Sequence, residues 1–196
     1  MEISLPAGID FGGKMSGTSV IAVPGQTTIR LFNCEKNEDA DKFLLDMIQQ
    51  KKIKSVFLDA PLNLPGIYKG IQRREDYFFR ESDQQLKSVS PMLMGGLTAR
   101  AMKFSSILKK SGIDCYEVHP PAFISRMKLN EMGYKKETDQ IPEISEKISE
   151  IIGLPLMHEL NTWNEVDALI ALAIGILFKQ EKAEFCGNPE EGLVYY

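Results

Sequence analysis

Apolar runs and turn residues alternate along the chain in a way that predicts a regular series of strands and helices. Alternating or continuous apolar runs bounded by turns predict strands, and they cover residues 3–11, 18–23, 27–32, 54–58 and 113–118. Apolar positions at helical spacing predict helices, and these cover residues 39–51, 99–110, 141–152 and 166–182. The element order predicts an α/β fold with a mixed sheet, in which a three-stranded antiparallel meander leads into parallel strands flanked by helices.

A segment of about residues 61–95 interrupts this series with polar, Gly-containing and partly basic sequence. Basic and aromatic side chains are interleaved there, and the set comprises Tyr68, Lys69, Arg73, Arg74, Tyr77, Phe78, Phe79, Arg80 and Lys87. Basic residues beside aromatic rings suit a nucleic-acid strand or a phosphorylated ligand, but an amphipathic surface helix has the same composition. At 196 residues we expect one domain over residues 1–196, with this segment inserted.

Composition and charge narrow the class of protein. An apolar share of 43% with 26% charged residues is typical of a soluble globular protein. The net charge of −4 argues mildly against nonspecific coating of nucleic acid, but it allows a local basic patch. Three widely spaced cysteines, no signal peptide and no apolar stretch long enough for a bilayer predict free thiols in a cytoplasmic protein with no membrane partner.

Two aspartates stand where predicted strands end, and a third lies in the last predicted helix. Asp10 follows Gly8-Ile9 and precedes a short glycine turn, while Asp59 closes the apolar run Val56-Phe57-Leu58. Carboxylates from two buried strands and one helix can converge on a divalent cation, as metal-dependent phosphodiester chemistry requires. The sequence therefore predicts a site for Mg²⁺ or Mn²⁺ held by Asp10, Asp59 and Asp167.

Each aspartate also has a structural explanation. An aspartate can stabilise a turn by bonding its own backbone, which would account for Asp10 and Asp59. For Asp59 this is less favourable, because an unpaired carboxylate at the end of a buried strand is costly. Thr162 and Glu165 form a predicted capping box that begins the last helix. Asp167 then lies on the apolar face of that helix, either as a metal ligand or as an acceptor for backbone amides.

The fifth predicted strand ends in a further polar pair. Alternation places Glu117 and His119 on the same side of this strand. Glu117 is a candidate fourth acid, and His119 is a candidate for orienting water or contacting a phosphate. The alternative is a polar pair that does no more than end the strand.

Several short motifs, in their order along the chain, resemble those of an uncharacterised family of predicted nucleases with the ribonuclease H-like fold, distantly similar to Holliday-junction resolvases of the RuvC type. The motifs are Gly8-Ile9-Asp10, Leu58-Asp59-Ala60-Pro61-Leu62-Asn63-Leu64-Pro65, Arg73-Arg74-Glu75-Asp76, Tyr116-Glu117-Val118-His119-Pro120, Asp167-Ala168-Leu169 and Glu190-Glu191-Gly192. They span nearly the whole chain, and the ribonuclease H-like fold has the element order predicted above.

The resemblance implies that Asp10 and Asp59 are the acids of the first and fourth strands and that Asp167 is the acid of the final helix. Together with Glu117 these are the predicted catalytic residues. The predicted contacts to a nucleic-acid substrate are Lys14, Arg73, Arg74, His119 and Glu191. Resolvases of this type carry an acid three residues before the final aspartate, where this chain has Asn164, and a neutral amide holds a divalent cation less strongly.

The leading hypothesis is a nuclease in which two Mg²⁺ ions ~4 Å apart, bridged by Asp10, activate water and stabilise the leaving oxygen. One alternative is a sugar kinase or actin-like ATPase, because Gly8 to Lys14 followed by Ser16 and Thr18 resembles the phosphate loop of those proteins. They need two domains, and this chain is too short for both. The other alternative is a ribonuclease H-like binding module without turnover, supported by Asn164 and by the acidic net charge.

Overall fold

A computed structural model describes residues 6–196, and within them seven strands form one mixed sheet. The strands are β1 (Pro6–Asp10), β2 (Val20–Pro24), β3 (Ile29–Asn33), β4 (Ser55–Asp59), β5 (Asp114–Val118), β6 (Phe185–Cys186) and β7 (Val194–Tyr195). The α-helices are α1 (Ala40–Gln50), α2 (Glu81–Leu86), α3 (Pro91–Met94), α4 (Gly96–Lys110), α5 (Pro120–Arg126), α6 (Ile141–Ile152) and α7 (Trp163–Lys179). The predicted α/β class with a mixed sheet is confirmed.

The strand order is β3-β2-β1-β4-β5-β7-β6. The first three strands form the predicted antiparallel meander, and β1, β4, β5 and β7 are parallel neighbours. Short β6 pairs antiparallel with β7 at the edge. Because β1, β4 and β5 are parallel, their C-terminal ends lie at the same end of the sheet. The residues that follow these three strands are therefore close together in space.

Alternating strand residues feed two cores, one on each face of the sheet. On one face Ile9 and Leu58 pack with residues of α1 and α4. On the other face Phe57 packs with residues of α5, α6 and α7. Each fully buried side chain of this size stabilises the fold by about 1.5–3 kcal/mol. Strands β1 and β4 are therefore packed on both faces, and this packing fixes the positions of the strand ends that carry Asp10 and Asp59.

Helix α7 crosses β1 so closely that only glycine fits between them. A Cβ on Gly8 would lie 2.0 Å from the backbone nitrogen of Leu172 and 2.3 Å from the carbonyl oxygen of Ala168. Thr162 caps this helix through the predicted capping box with Glu165. The close crossing places the first turns of α7 beside the end of β1.

Several element boundaries differ from the prediction. Part of the first predicted strand, residues 3–5, lies outside the described residues. Helix α4 begins at Gly96, three residues early, because Gly95 takes a positive φ of 45° that separates it from α3. Helix α7 runs from Trp163 to Lys179 rather than over 166–182. The segment of residues 61–95 contains the short helices α2 and α3 and a 3₁₀ turn at Gly66–Lys69.

Three short elements in the second half of the chain were not predicted. Strands β6 and β7 contain two residues each, which is too short for an alternating pattern to show. Helix α5 has seven residues and begins directly at the proline pair after His119.

The three cysteines are free thiols, as predicted. Among the described residues, no helix is long and apolar enough to cross a membrane.

Candidate metal centre and adjoining cleft

Three carboxylates meet where β1 and β4 end beneath the start of α7. Asp10 and Asp59 are register partners on these adjacent parallel strands. One carboxylate oxygen from each of Asp10, Asp59 and Asp167 lies within 4.8 Å of the others. The expected convergence of these three residues, called the acid cluster below, is therefore confirmed. That the cluster binds a metal stays a prediction.

Burial and mutual repulsion shift the acid cluster toward its protonated form. Burial, followed by the charge of Asp167, raises the pKa of Asp10 from 3.8 to about 7. Burial and the charges of Asp167 and Asp10 raise the pKa of Asp59 well above its usual range. Burial also raises the pKa of Asp167, against the opposing effect of Lys135 and a hydrogen bond from Tyr134. When all three aspartates are ionised, their negative charge therefore exceeds what their salt-bridge partner Lys135 neutralises.

Two residues at the acid cluster were not predicted from the sequence. The ammonium of Lys135 lies 2.6 Å from Asp167 Oδ2, and the hydroxyl of Tyr134 donates to Asp167 Oδ1. Lys135 has a left-handed backbone with φ 58°. Trp163 stacks edge-on against Tyr134, with ring centroids 5.4 Å apart. These contacts come from the connection between α5 and α6, which carries no local sequence signal for a site.

The donor set fits a hard divalent cation. Within residues 6–196, the side chains of Asp10 and Asp59 make no hydrogen bond or salt bridge, so their oxygens are available as ligands. Carboxylate oxygens are the ligands that Mg²⁺ and Mn²⁺ prefer. Asn164 precedes Asp167 by nearly one turn on α7 and is half-buried. It therefore lies on the same side of the helix as Asp167.

Glu117 is not brought into the acid cluster. Its two oxygens accept from Arg80, at 2.7 Å from Nη1 and 2.6 Å from Nη2, and one of them also accepts from the amide of Leu62. Arg80 pairs with Asp83 as well, and all three charged groups are buried. Burial raises the pKa of Glu117, but Arg80 acts against that shift. The structure gives Glu117 a role in a buried ion-pair network in place of the expected role as a fourth ligand.

The predicted substrate contacts have diverse surroundings. Lys14 is exposed and pairs with Asp39 at 3.1 Å. Arg74 pairs with Glu81 at 2.6 Å and also approaches Glu191. Arg73 is exposed at a positive φ of 64°.

Two further predicted contacts are engaged inside the fold. Glu191 is buried and accepts from the amides of Gly66, at 2.7 Å, and Glu81, at 2.9 Å. Its carboxylate therefore ties the end of the chain to the segment of residues 61–95, in place of a free substrate contact. His119 caps α5, with Nδ1 accepting from the amide of Ala122.

A cleft of about 240 Å³ opens beside the acid cluster. Asp59 belongs to both, and Lys135, which pairs with Asp167 of the cluster, also lines the cleft. Its other polar lining includes Arg80, Glu117 and His119, and its apolar lining includes Pro61, Leu86, Val89 and Met94. We call it the side cleft.

The sequence matches no protein-family model, and no curated protein is significantly similar to it.

Proposed function

We propose that the chain is a metal-dependent phosphodiesterase of the ribonuclease H-like fold that hydrolyses nucleic acid, similar to resolvases of the RuvC type. The observation that carries this proposal is the meeting of Asp10 and Asp59, in register on adjacent parallel strands, with Asp167 from α7. The order of the first five strands and their helices is compatible with the ribonuclease H-like fold, which supports the proposal. Magnesium or manganese is the proposed cofactor.

The three aspartates would hold the cation, which on binding would supply Lewis-acid activation of water and stabilisation of the leaving oxygen. In the hydrolysis a water oxygen forms a new bond to phosphorus, and the bond from phosphorus to the sugar oxygen breaks. The proton lost by water and the proton gained by the leaving oxygen balance through solvent. The backbones of Asp10 and Asp59 are paired in register, and this pairing holds their two carboxylates side by side.

Asp167 is oriented by its two neighbours. Tyr134 donates to one of its oxygens, and Lys135 holds the other. Both contacts favour the ionised form of Asp167 at a place where burial opposes it. Tyr134 is held in turn by Trp163. This support opposes protonation of the third carboxylate and directs it at the ends of β1 and β4.

The glycine turn after β1 argues against the kinase alternative. A Cβ on Gly12 would lie 2.0 Å from Thr18 Oγ1, and Ser16 Oγ lies 2.6 Å from the same atom. Lys14 is directed to Asp39. The turn is closed on its own side chains, which explains its composition without a bound phosphate.

The test combines metal binding with cleavage. Trp163 is the single tryptophan, so a Mn²⁺ titration followed by its fluorescence reports on the acid cluster without any substrate. We expect saturable binding by wild type and its loss in Asp10→Asn and Asp59→Asn. We also expect Mg²⁺- or Mn²⁺-dependent cleavage of at least one member of a set of single-stranded, duplex, hybrid and branched oligonucleotides.

Three outcomes separate the hypotheses. Metal binding without cleavage of any oligonucleotide would favour the binding module. Tight ATP–Mg²⁺ binding by calorimetry, with no oligonucleotide binding at low salt, would favour the kinase alternative. Cleavage that Asp10→Asn leaves intact would come from a contaminant or another site and would remove the proposal.

A further inference from the structure

The side cleft adjoins the acid cluster. Asp59 and Lys135 lie at the junction of the two. A ligand in the side cleft is therefore in direct reach of a phosphate held at the acid cluster. This inference rests on the proposed function, because it concerns the part of the substrate that lies next to that phosphate.

Two of the residues that line the side cleft, His119 and Lys135, offer hydrogen-bond donors. Nδ1 of His119 accepts from the amide of Ala122 at 3.3 Å, so a neutral ring carries its proton on Nε2. Burial, and then the charge of Lys135, lower the pKa of His119 to about 4. The ring is thus a neutral donor at neutral pH, and the Lys135 ammonium is a charged one.

Other residues that line the side cleft are apolar and partly open to solvent. Leu86 and Met94 are half-buried, and Val89 at the mouth is 61% exposed. An aliphatic side chain with this exposure gains from a flat apolar ligand laid against it. Hydrogen-bond donors together with an aliphatic surface suit a nucleobase, which has polar edges and apolar faces.

Buried charges fix the shape of the side cleft. Arg80 joins Asp83 at the start of α2 to Glu117 at the end of β5. Ser90 donates to the carbonyl of Phe78 and also caps α3. These contacts hold the segment that carries Leu86, Val89 and Met94 next to β5. The side cleft is therefore formed before any ligand arrives.

We propose that the side cleft binds one unpaired nucleotide next to the scissile phosphate, so that the preferred substrate is a single strand or a frayed strand end. Its volume of about 240 Å³ lies below the ~300–1,000 Å³ of sites for drug-sized ligands. The two bases of a pair are held inside the double helix, so only an unpaired base can turn into a cleft of this kind. A nucleotide inside a duplex must first unpair and unstack before it can enter.

The binding test uses thymidine 5′-monophosphate with Mg²⁺ in a calorimetric titration. Val89→Trp fills the mouth of the side cleft, and we expect it to weaken binding at least about tenfold, since contact with the base is lost. Leu93→Trp is the matched control, because Leu93 is 72% exposed and does not line the side cleft. We expect this control to bind within about twofold of wild type. Both positions are exposed, so both variants should fold, and circular dichroism checks this.

The cleavage test compares a single-stranded oligonucleotide with its fully paired duplex. We expect wild type to cut the single strand at least about tenfold faster, and Val89→Trp to lose most of that rate. Equal rates on both substrates, or a Val89→Trp protein that binds the nucleotide as wild type does, would overturn the side-cleft proposal and leave the nuclease function in place. Nucleotide binding that depends on Val89, without cleavage of any substrate, would support the side cleft and remove the nuclease function.

Discussion

Asp10 ionises at a higher pH than an ordinary aspartate because it is buried beside two other carboxyl groups. Its pKa rises from 3.8 to about 7, through burial first and the charge of Asp167 second. Since the folded-state pKa exceeds the unfolded-state value, the protonated group contributes stability that is fully present below about pH 4. This contribution is lost as the pH rises to about 7 and stays lost above it.

We therefore predict that Asp10→Asn raises the Tm of the metal-free protein, because the amide cannot ionise. The gain over wild type should increase from about pH 4 to about pH 7 and then level off. One kcal/mol corresponds to about 2–4 °C in a chain of this size, so a gain of several degrees is expected at neutral pH. Thermal unfolding in EDTA across this pH range is the measurement.

Asp46→Asn is the control for this series, because Asp46 is an exposed aspartate of α1. It should leave the pH profile of the Tm as in wild type. An Asp10→Asn protein that melts below wild type at neutral pH would assign Asp10 to the turn after β1 and not to a crowded acid cluster.

Lys135 occupies the place of a counter-ion at the acid cluster. Its ammonium holds Asp167 Oδ2 at 2.6 Å, an oxygen that a bound cation would compete for. Burial lowers the pKa of Lys135, but the charges of Asp167, Asp59 and Asp10 outweigh this and raise it. Lys135 therefore stays charged, and it reduces the negative charge that attracts a divalent cation.

We predict that Lys135→Met tightens Mn²⁺ binding by at least about threefold, because one positive charge next to the ligands is removed. The fluorescence titration of Trp163 measures this. Lys136→Met is the matched control, since Lys136 is the exposed next residue, and it should change the affinity little. Weaker Mn²⁺ binding in Lys135→Met would show instead that Lys135 is needed to keep Asp167 in position.

At the scale of elements, the distance between β1 and α7 decides whether Asp167 can join Asp10. Gly8 allows this approach, because a Cβ there would overlap the backbone of α7. We predict that Gly8→Ala costs about 1–3 kcal/mol of unfolding free energy or more and also weakens Mn²⁺ binding, since α7 must move away. Chemical denaturation and the Trp163 titration measure the two effects.

Gly96→Ala is the control for Gly8→Ala. Gly96 begins α4, and a Cβ there would meet no atom within 4 Å. This substitution should leave metal binding unchanged and stabilise the fold slightly, as alanine favours helix. A Gly8→Ala protein with wild-type stability would mean that α7 lies further from β1 than the structure shows.

The end of the chain is attached to the segment of residues 61–95 through one buried side chain. Glu191 accepts from the amides of Gly66 and Glu81 with its two oxygens. In Glu191→Gln one acceptor oxygen is replaced by a donor, so one buried amide loses its partner. We predict a loss of about 1–3 kcal/mol in unfolding free energy, measured by chemical denaturation. The exposed neighbour Glu190 is the control, and Glu190→Gln should be near neutral; equal stability of both variants would contradict the attachment.

At the scale of the whole molecule, several basic side chains of residues 61–95 are engaged by other parts of the protein. Arg74 and Arg80 pair with carboxylates, and Lys69 donates to Asn63 and to the carbonyls of Glu190 and Glu191. Among the described residues Arg73 makes no salt bridge. With a net charge of −4, we expect oligonucleotide binding through few phosphate contacts and therefore a shallow dependence on salt.

We predict that Arg73→Ala reduces the slope of log affinity against log salt by about 0.7–0.9, the value for one lost phosphate contact. Fluorescence anisotropy of a labelled single strand at several salt concentrations measures the slope. Arg30→Ala is the control. Arg30 is exposed on β3, which forms the edge of the sheet opposite to β6. Equal slopes for wild type and Arg73→Ala would remove Arg73 from the binding surface.

The strand ends and the capped helix were predictable because their signals are local. Apolar runs show where β1 and β4 stop, and neighbouring parallel strands end at one edge, so Asp10 and Asp59 could be placed together from the sequence. The capping box of Thr162 and Glu165 marked the start of the last helix and left Asp167 on its inner face. Each inference needed only a few consecutive residues and the fixed geometry of a strand or helix.

The sequence by itself thus determined the α/β class, the antiparallel meander and the three aspartates that meet. Only the tertiary structure decided their neighbours, because these contacts join residues far apart along the chain. Tyr134 and Asp167, which are hydrogen-bonded, lie 33 positions apart in the sequence. Arg80 and Glu117 lie 37 positions apart, and their pairing holds Glu117 away from the acid cluster. Periodicity reports which face a residue lies on, but not which distant side chain packs there. Packing of the α5–α6 connection and of residues 61–95 against the sheet makes that choice.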